Sequence, residues 1–264
     1  MTAGRAPRLA FTVLAFGYAF LYLPIVLVIG YSFNESRLVT VWAGFSLKWW
    51  GALLHNEDML AAAWLSLRIA LTSATLATLL GLAAGYALAR APSFRGRTLF
   101  GSLIVAPMVM PEVVMGISTL LLFVGGNRLV GGPQFGFVTI VIAHTTFSLA
   151  FVAIVVQARL SDFDHALEEA AMDLGATPWT CFVTVTLPII APAIASGWLL
   201  AFTLSLDDLI MTQFVAGAQS QTLPMLVYSS VRLGVDPQIN VLATIIVCIA
   251  ATALIISGRL ARKR

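Results

Sequence analysis

Charge is what this sequence has least of. Only 10% of its 264 residues are Asp, Glu, Lys or Arg, where soluble globular chains carry about a quarter. With 59% hydrophobic residues and a mean hydropathy of +0.95, an ordinary soluble domain is excluded and a bilayer is indicated. Cysteine is nearly missing too. Cys181 and Cys248 lie far apart and match no ligand or redox spacing, so neither a disulfide framework nor a metal site is suggested. No G-x-x-x-x-G-K-[ST] loop is present to cradle a nucleotide phosphate. There is no H-E-x-x-H and no G-x-S-G, and His55, His144 and His165 show no convergent cysteine or carboxylate cluster in the sequence. An intramembrane protease or metalloenzyme is therefore disfavoured, and any energy from ATP must come from another subunit. A formal charge of +3 is too small to argue for a nucleic-acid partner.

Long apolar runs are abundant instead. A spanning helix needs about 20 mostly apolar residues, and six such runs are read at about 9–31, 62–89, 99–124, 136–158, 190–214 and 239–258. The first follows Arg5 and Arg8 but is longer than a secretory core and lacks a small-residue cleavage site, so it is read as an uncleaved span. With the N-terminus inside the cell, the cytoplasmic side receives Arg5, Arg8, Arg90, Arg95, Arg97, Arg159, Arg259, Arg262, Lys263 and Arg264. The outer side receives only Arg37, Lys48, Arg128 and Arg232, and Arg68 falls inside the second span. The positive-inside rule puts both termini in the cytoplasm. The outer segments carry Trp42, Trp49, Trp50 and Tyr228, as an interfacial aromatic belt requires, and read as short ordered surfaces. The expectation is an all-α polytopic membrane protein: a first helix with its outer segment over 1–61, a helical domain over 62–258 and a basic tail over 259–264.

That topology leaves 159–189 as the longest cytoplasmic loop, and it departs from its surroundings by carrying Asp162, Asp164, Glu168, Glu169 and Asp173. Leu167, Ala170, Ala171 and Leu174 stand at i, i+3, i+4 and i+7, one apolar stripe of a helix starting near Asp162 or Asp164. Acids suit its N-terminus, Gly175 suits a left-handed C′ position, and Thr177-Pro178 supplies the cap and first residue of a second helix. Two readings are open. The loop rests on the membrane surface as a self-contained element, or it docks on a protein. Helices lying on the anionic cytoplasmic leaflet are usually basic, so the acids favour a protein.

Glu169-Ala170-Ala171, then Gly175, then Val185-Thr186-Leu187-Pro188 resembles the EAA loop of bacterial ABC importer permeases, E-A-A, three residues, G, nine residues, I-x-L-P. The departure is Val185 in place of isoleucine. The resemblance covers nearly the whole chain and is nearest to the permease subunits of polyamine importers, through "YSFNESRLVTVWAGFSLKWWGALL", "APMVMPEVVMGIS", "SGWLLAFTLSLDDLIMTQFVAG" and "TLPMLVYSSVRLGVDPQINVLATI". It implies a type I importer permease in a bacterial inner membrane, working by alternating access, with no cofactor of its own. Implied partners are a second permease of the same fold, two copies of a cytoplasmic ATPase that binds ATP and Mg, a periplasmic polyamine-binding protein and membrane lipid. It also implies that Glu169, Ala170, Ala171, Gly175, Leu187 and Pro188 form the part that docks on the ATPase.

Ionisable residues inside spans are costly and normally face a bundle interior or a water-filled path. Four fall in the expected spans: Arg68, Glu112, Asp207 and Asp208. Ala201, Ser205, Asp208 and Thr212 share one stripe of the fifth span, with Asp207 about 100° away beside Thr203. Glu112 follows Pro111, with Met108 and Gly116 on its face. Asp208, Asp207, Glu112, Ser205 and Trp198 are the candidate pathway residues, and Trp198, Phe202 and Tyr228 could offer cation–π faces to an alkylammonium. Two negative charges beyond Arg68 suit a dication. The alternative is that Arg68 pairs with one of the acids and only fixes packing. Two function classes remain beside the polyamine importer: a permease for spermidine or another cationic solute, and a self-sufficient secondary transporter or channel.

Overall fold

The computed structural model describes residues 6–38, 41–91, 94–234 and 236–261. Of the basic residues used for orientation, Arg5, Arg262, Lys263 and Arg264 lie outside the described residues, as do the side chains of Arg8 and Arg259. The chain order is α1 (Ala6–Tyr31), α2 (Lys48–Leu54), α3 (Glu57–Arg90), α4 (Arg97–Val109), α5 (Glu112–Val130), α6 (Phe137–Ser161), α7 (Ala166–Asp173) and α8 (Pro178–Cys181). A single π-helical turn, Phe182–Thr186, joins α8 to α9 (Leu187–Leu206). Then follow α10 (Ile210–Val215), α11 (Leu223–Leu233) and α12 (Pro237–Ala261). Among the described residues the one β element is an isolated bridge between Asn34 and Phe45.

Among the described residues five segments are long and apolar enough to cross a bilayer: Ala10–Tyr31, Glu57–Arg90, Glu112–Leu129, Phe137–Ser161 and Pro178–Leu206. Two expected spans are not continuous. The run at 99–124 breaks at Met110-Pro111, because a residue before proline is driven out of the helical region. Met110 is extended (φ −79°, ψ 139°) and Pro111 caps α5. The run at 190–214 ends at Leu206, and α10 starts afresh after Asp207-Asp208-Leu209. The expected run at 239–258 falls within α12, whose apolar part is traced over Pro237–Thr252.

The chain divides into two compact units, Met1–Ala61 with Leu226–Arg264, and Ala62–Met225. In the first, α12 packs on α1 and α2. The described part of the segment after α1 is held by its own side chains. Asn34 Nδ2 donates to Val41 O (2.7 Å) and Asn34 Oδ1 accepts from Ala43 N (2.9 Å). Phe33 stacks between Phe45 and Trp50, whose Nε1 donates to Ser32 O.

In the second unit α6 is the central helix, packed on α4, α9 and α10. Lipid is as apolar as leucine, so helices in a bilayer associate through close backbone approach at small residues. Gly81 and Gly85 of α3 supply it. A methyl group on Gly85 would stand 2.6 Å from Ala153 O, and one on Gly81 2.7 Å from Val152 Cβ. Ala74, Ala77, Val152, Val156, Leu160, Ile190 and Ala201 fill the interior around that approach.

Candidate functional site

The loop after α6 is built by short-range rules. Asp164 Oδ1 accepts from Ala166 N at the start of α7 (3.0 Å). Gly175 takes φ +90°, and the chain closes α7 with Ala176 N donating to Ala171 O and Gly175 N to Met172 O. This is the paired 6→1 and 5→2 arrangement that a left-handed glycine permits. Thr177 Oγ1 accepts from Thr180 N (3.2 Å), with Pro178 as the first residue of α8. Pro188 offers no N–H and its ring crowds the carbonyl four residues back, and the backbone before it widens into the π turn, where Leu187 N donates to Phe182 O.

The stripe read from the sequence faces outward. Leu174 is 91% exposed and Leu167 51%, Ala170, Glu169 and Pro188 are exposed, and Ala171 and Leu187 are half-buried. Within the chain, α7 is instead anchored by the acid next to the motif, Glu168. Its Oε2 lies 3.1 Å from Arg90 Nε at the end of α3, with both side chains buried. Its Oε1 accepts from Thr186 Oγ1 (2.6 Å), and its backbone oxygen receives Cys181 Sγ (3.7 Å). Arg90 also stacks over Phe163 and reaches His165 Nε2 (2.5 Å). Arginine only donates, so that nitrogen of His165 is the acceptor.

The second cluster lies where α9 breaks. His144, in the middle of α6, has Nδ1 2.7 Å from Ser205 Oγ and Nε2 3.2 Å from Asp208 Oδ2 and 2.9 Å from Thr212 Oγ1. Ser73 of α3 joins through Ser205 Oγ at 2.8 Å. Asp208 Oδ2 also accepts from Thr212 N (2.7 Å) and Thr212 Oγ1 (2.6 Å), so the carboxylate caps α10. The stripe Ala201, Ser205, Asp208, Thr212 is thus brought together across a broken helix. His144 was the residue that sequence alone did not connect, because its partners lie 61 to 68 positions away.

The remaining candidates separate. Asp207 is exposed at the C-cap of α9. Trp198 donates Nε1 to Thr75 Oγ1 (3.2 Å) and stacks on Phe202. Glu112 is exposed as the first residue of α5. Met108 belongs to α4, so it does not share a helix face with Glu112, whereas Gly116 does and packs against Phe214 of α10. Among the described residues no carboxylate lies within ion-pair distance of Arg68, whose guanidinium sits over Phe137 (5.1 Å). The ring of Tyr228 is taken by Arg232 (4.5 Å).

Residues 77–263 fit the binding-protein-dependent transport system inner membrane component. The chain belongs to this family. It is 54% identical over 235 residues to the putrescine transport system permease protein PotI of Escherichia coli K12, covering 89% of this chain and 84% of that protein. It is 42% identical over 247 residues to the spermidine/putrescine transport system permease protein PotC of the same organism, covering 94% and 91%. Among solved structures it resembles a bacterial ABC transporter involved in the import of the acidic polysaccharide alginate, with a TM-score of 0.72, 18% identity and coverage of 100% and 98%. It also resembles the MetNI methionine ABC transporter in an inward-facing conformation, with a TM-score of 0.58, 19% identity and coverage of 78% and 95%. Those last two likenesses are of fold.

As a binding-protein-dependent inner membrane component, the chain is a multi-pass membrane transport subunit rather than an enzyme. Glu112, the α7 loop and the His144 cluster partners on α6, α9 and α10 all lie in the matched segment.

Proposed function

We propose that this chain is the transmembrane permease subunit of an ATP-driven, binding-protein-dependent importer whose solute is a polyamine, putrescine in particular. The observation that carries the importer reading is α7: a folded helix that leaves Leu167, Ala170 and Leu174 uncovered and turns Glu169 and Asp173 to water, while Glu168 is held inside. The substrate reading is supported by the likeness to PotI, and the PotC likeness favours spermidine as the second choice. The relatives' names imply other subunits. We assign these as a second permease of the same fold, two copies of a cytoplasmic ATPase carrying ATP and Mg, and a periplasmic polyamine-binding protein. The chain then sits in a bacterial inner membrane with both termini inside, α1, α3, α4–α5, α6, α8–α9 and α12 making six crossings. Residues 62–258 form the permease domain between a first-helix segment, 1–61, and a basic tail, 259–264.

In that mechanism ATP binding closes the ATPase against Glu169, Ala170, Ala171, Gly175, Leu187 and Pro188, and the bundle opens alternately to each side. Asp207, Asp208, Glu112, Ser205 and Trp198 belong to the solute pathway. Asp207 and Glu112 offer exposed carboxylates to an alkylammonium, and Asp208 and Ser205 hold the broken helix in place through His144. The test is to purify the tagged chain from the membrane, identify its companions, and reconstitute the assembly in liposomes. ATP-dependent uptake of labelled putrescine, requiring the binding protein, is the expected result. Uptake by this chain alone, driven by an ion gradient, overturns the reading.

A further inference from the structure

We propose that the Arg90–Glu168 pair is the joint that passes movement of α7 to α3 and α9. The proposal rests on the docking reading above and extends it to residues outside the docking motif. An eight-residue helix is too short to hold its own shape in water, so whatever presses on α7 moves the bundle only through its anchors. Three of those anchors meet at one residue, two of them at its carboxylate. Glu168 Oε2 stands 3.1 Å from Nε of Arg90, the last residue of α3, as an ion pair, and Oε1 accepts from the hydroxyl of Thr186, the last residue before α9 (2.6 Å). The backbone oxygen of the same residue receives Cys181 Sγ from α8 (3.7 Å).

Successive residues on a helix point about 100° apart, and this separates two neighbouring acids. Glu169 is exposed on the docking side, and Glu168 is buried against the bundle. The guanidinium of Arg90 is itself oriented, lying over Phe163 at 5.3 Å and reaching His165 Nε2. A buried ion pair is a weak source of stability, since well-packed apolar residues hold two elements together as firmly. What the carboxylate adds, with a buried charge contact on one oxygen and the Thr186 hydrogen bond on the other, is a fixed position of α7 against α3 and α9. Arg90 and Glu168 are therefore positioning residues, touching neither solute nor nucleotide.

The experiment uses the whole reconstituted importer and reads two quantities together, ATP hydrolysed and putrescine taken up. Arg90→Gln and Glu168→Gln are expected to keep the ATPase bound and its basal hydrolysis intact. Uptake per ATP falls about tenfold, the scale of an ordinary coupling between sites. Arg90→Lys, which keeps the charge beside Glu168 and loses the contact with His165, retains part of the ratio. Uptake per ATP equal to that of the wild type in both glutamine variants overturns the proposal. If those variants fail to assemble, Thr186→Val decides it, because it removes one donor to Glu168 and keeps the shape. A lowered ratio in an intact Thr186→Val complex supports the joint, and an unchanged ratio overturns it. Failure of the docking reading itself shows differently, as a wild-type assembly with no ATP-driven uptake.

Discussion

His144 Nε2 lies 3.2 Å from Asp208 Oδ2 across the gap between α6 and the start of α10, with both side chains almost wholly shielded, 2% and 8% exposed. A carboxylate only accepts, so His144 presents N–H to it, and Thr212 supplies two further donors. Asp208 is thereby committed to the protein, and Asp207 beside it is not.

The two aspartates therefore differ in what their loss does. Leaving a buried hydrogen-bonding partner orphaned costs about 1–3 kcal/mol, so His144→Ala and Asp208→Asn lower the thermal midpoint of the purified complex. Asp207→Asn leaves that midpoint in place and depresses putrescine uptake. Thermal denaturation and uptake measured on the same preparations check this. A destabilised Asp207→Asn beside an unchanged Asp208→Asn reverses the assignment.

In the α7 loop, Glu169→Lys leaves the fold intact, because the side chain is exposed, and reverses the charge that the proposed docking would present to the ATPase. Gly175→Val forces a β-branched residue into φ +90°, where left-handed backbone costs about 1–2 kcal/mol even for ordinary residues. Both variants reach the membrane in normal amount and lose putrescine-stimulated ATP hydrolysis. Normal stimulation with the ATPase still co-purifying would remove α7 from the docking surface.

Packing of α3 on α6 makes a separate prediction. Gly85→Ala places a methyl 2.6 Å from Ala153 O, a backbone atom that cannot step aside. Overpacking of this kind costs about 1–3 kcal/mol, seen as a lower thermal midpoint. Gly125→Ala, which meets nothing within 4 Å, is the matched control and leaves it unchanged.

Orientation is checked by single cysteines in a chain with Cys181 and Cys248 replaced by serine and alanine. Arg37→Cys reacts with an impermeant maleimide in intact spheroplasts. Asp173→Cys reacts only after the membrane is opened. The reverse pattern inverts the topology.

What could be read from the sequence follows from the range of the forces involved. Asp164, Gly175 and Thr177-Pro178 act on backbone within four residues, so the helix–turn–helix of the docking loop was legible. Leu167, Ala170 and Leu174 gave its outward stripe by period alone. Glu168 carried no such signal. It and Glu169 are neighbours of one type, and only the end of α3, distant in sequence, decides which turns inward. His144 was hidden for the same reason, a polar residue in an apolar run with partners on another helix. Pro111 did mark a break, yet the apolar run across it read as one span, because hydropathy averages over the proline that interrupts the hydrogen bonding.

The π turn at Phe182–Thr186 carries one more residue per turn than the helix it interrupts, and this fixes an azimuth. Deleting one residue there would restore a regular ladder and leave every hydropathy value nearly as before. It would also swing Trp179 and the α7 segment about 100° around the axis of α9, turning the docking stripe away from whatever it meets. The length of this stretch, more than its composition, is what keeps the two ends of the lever pointing the right way.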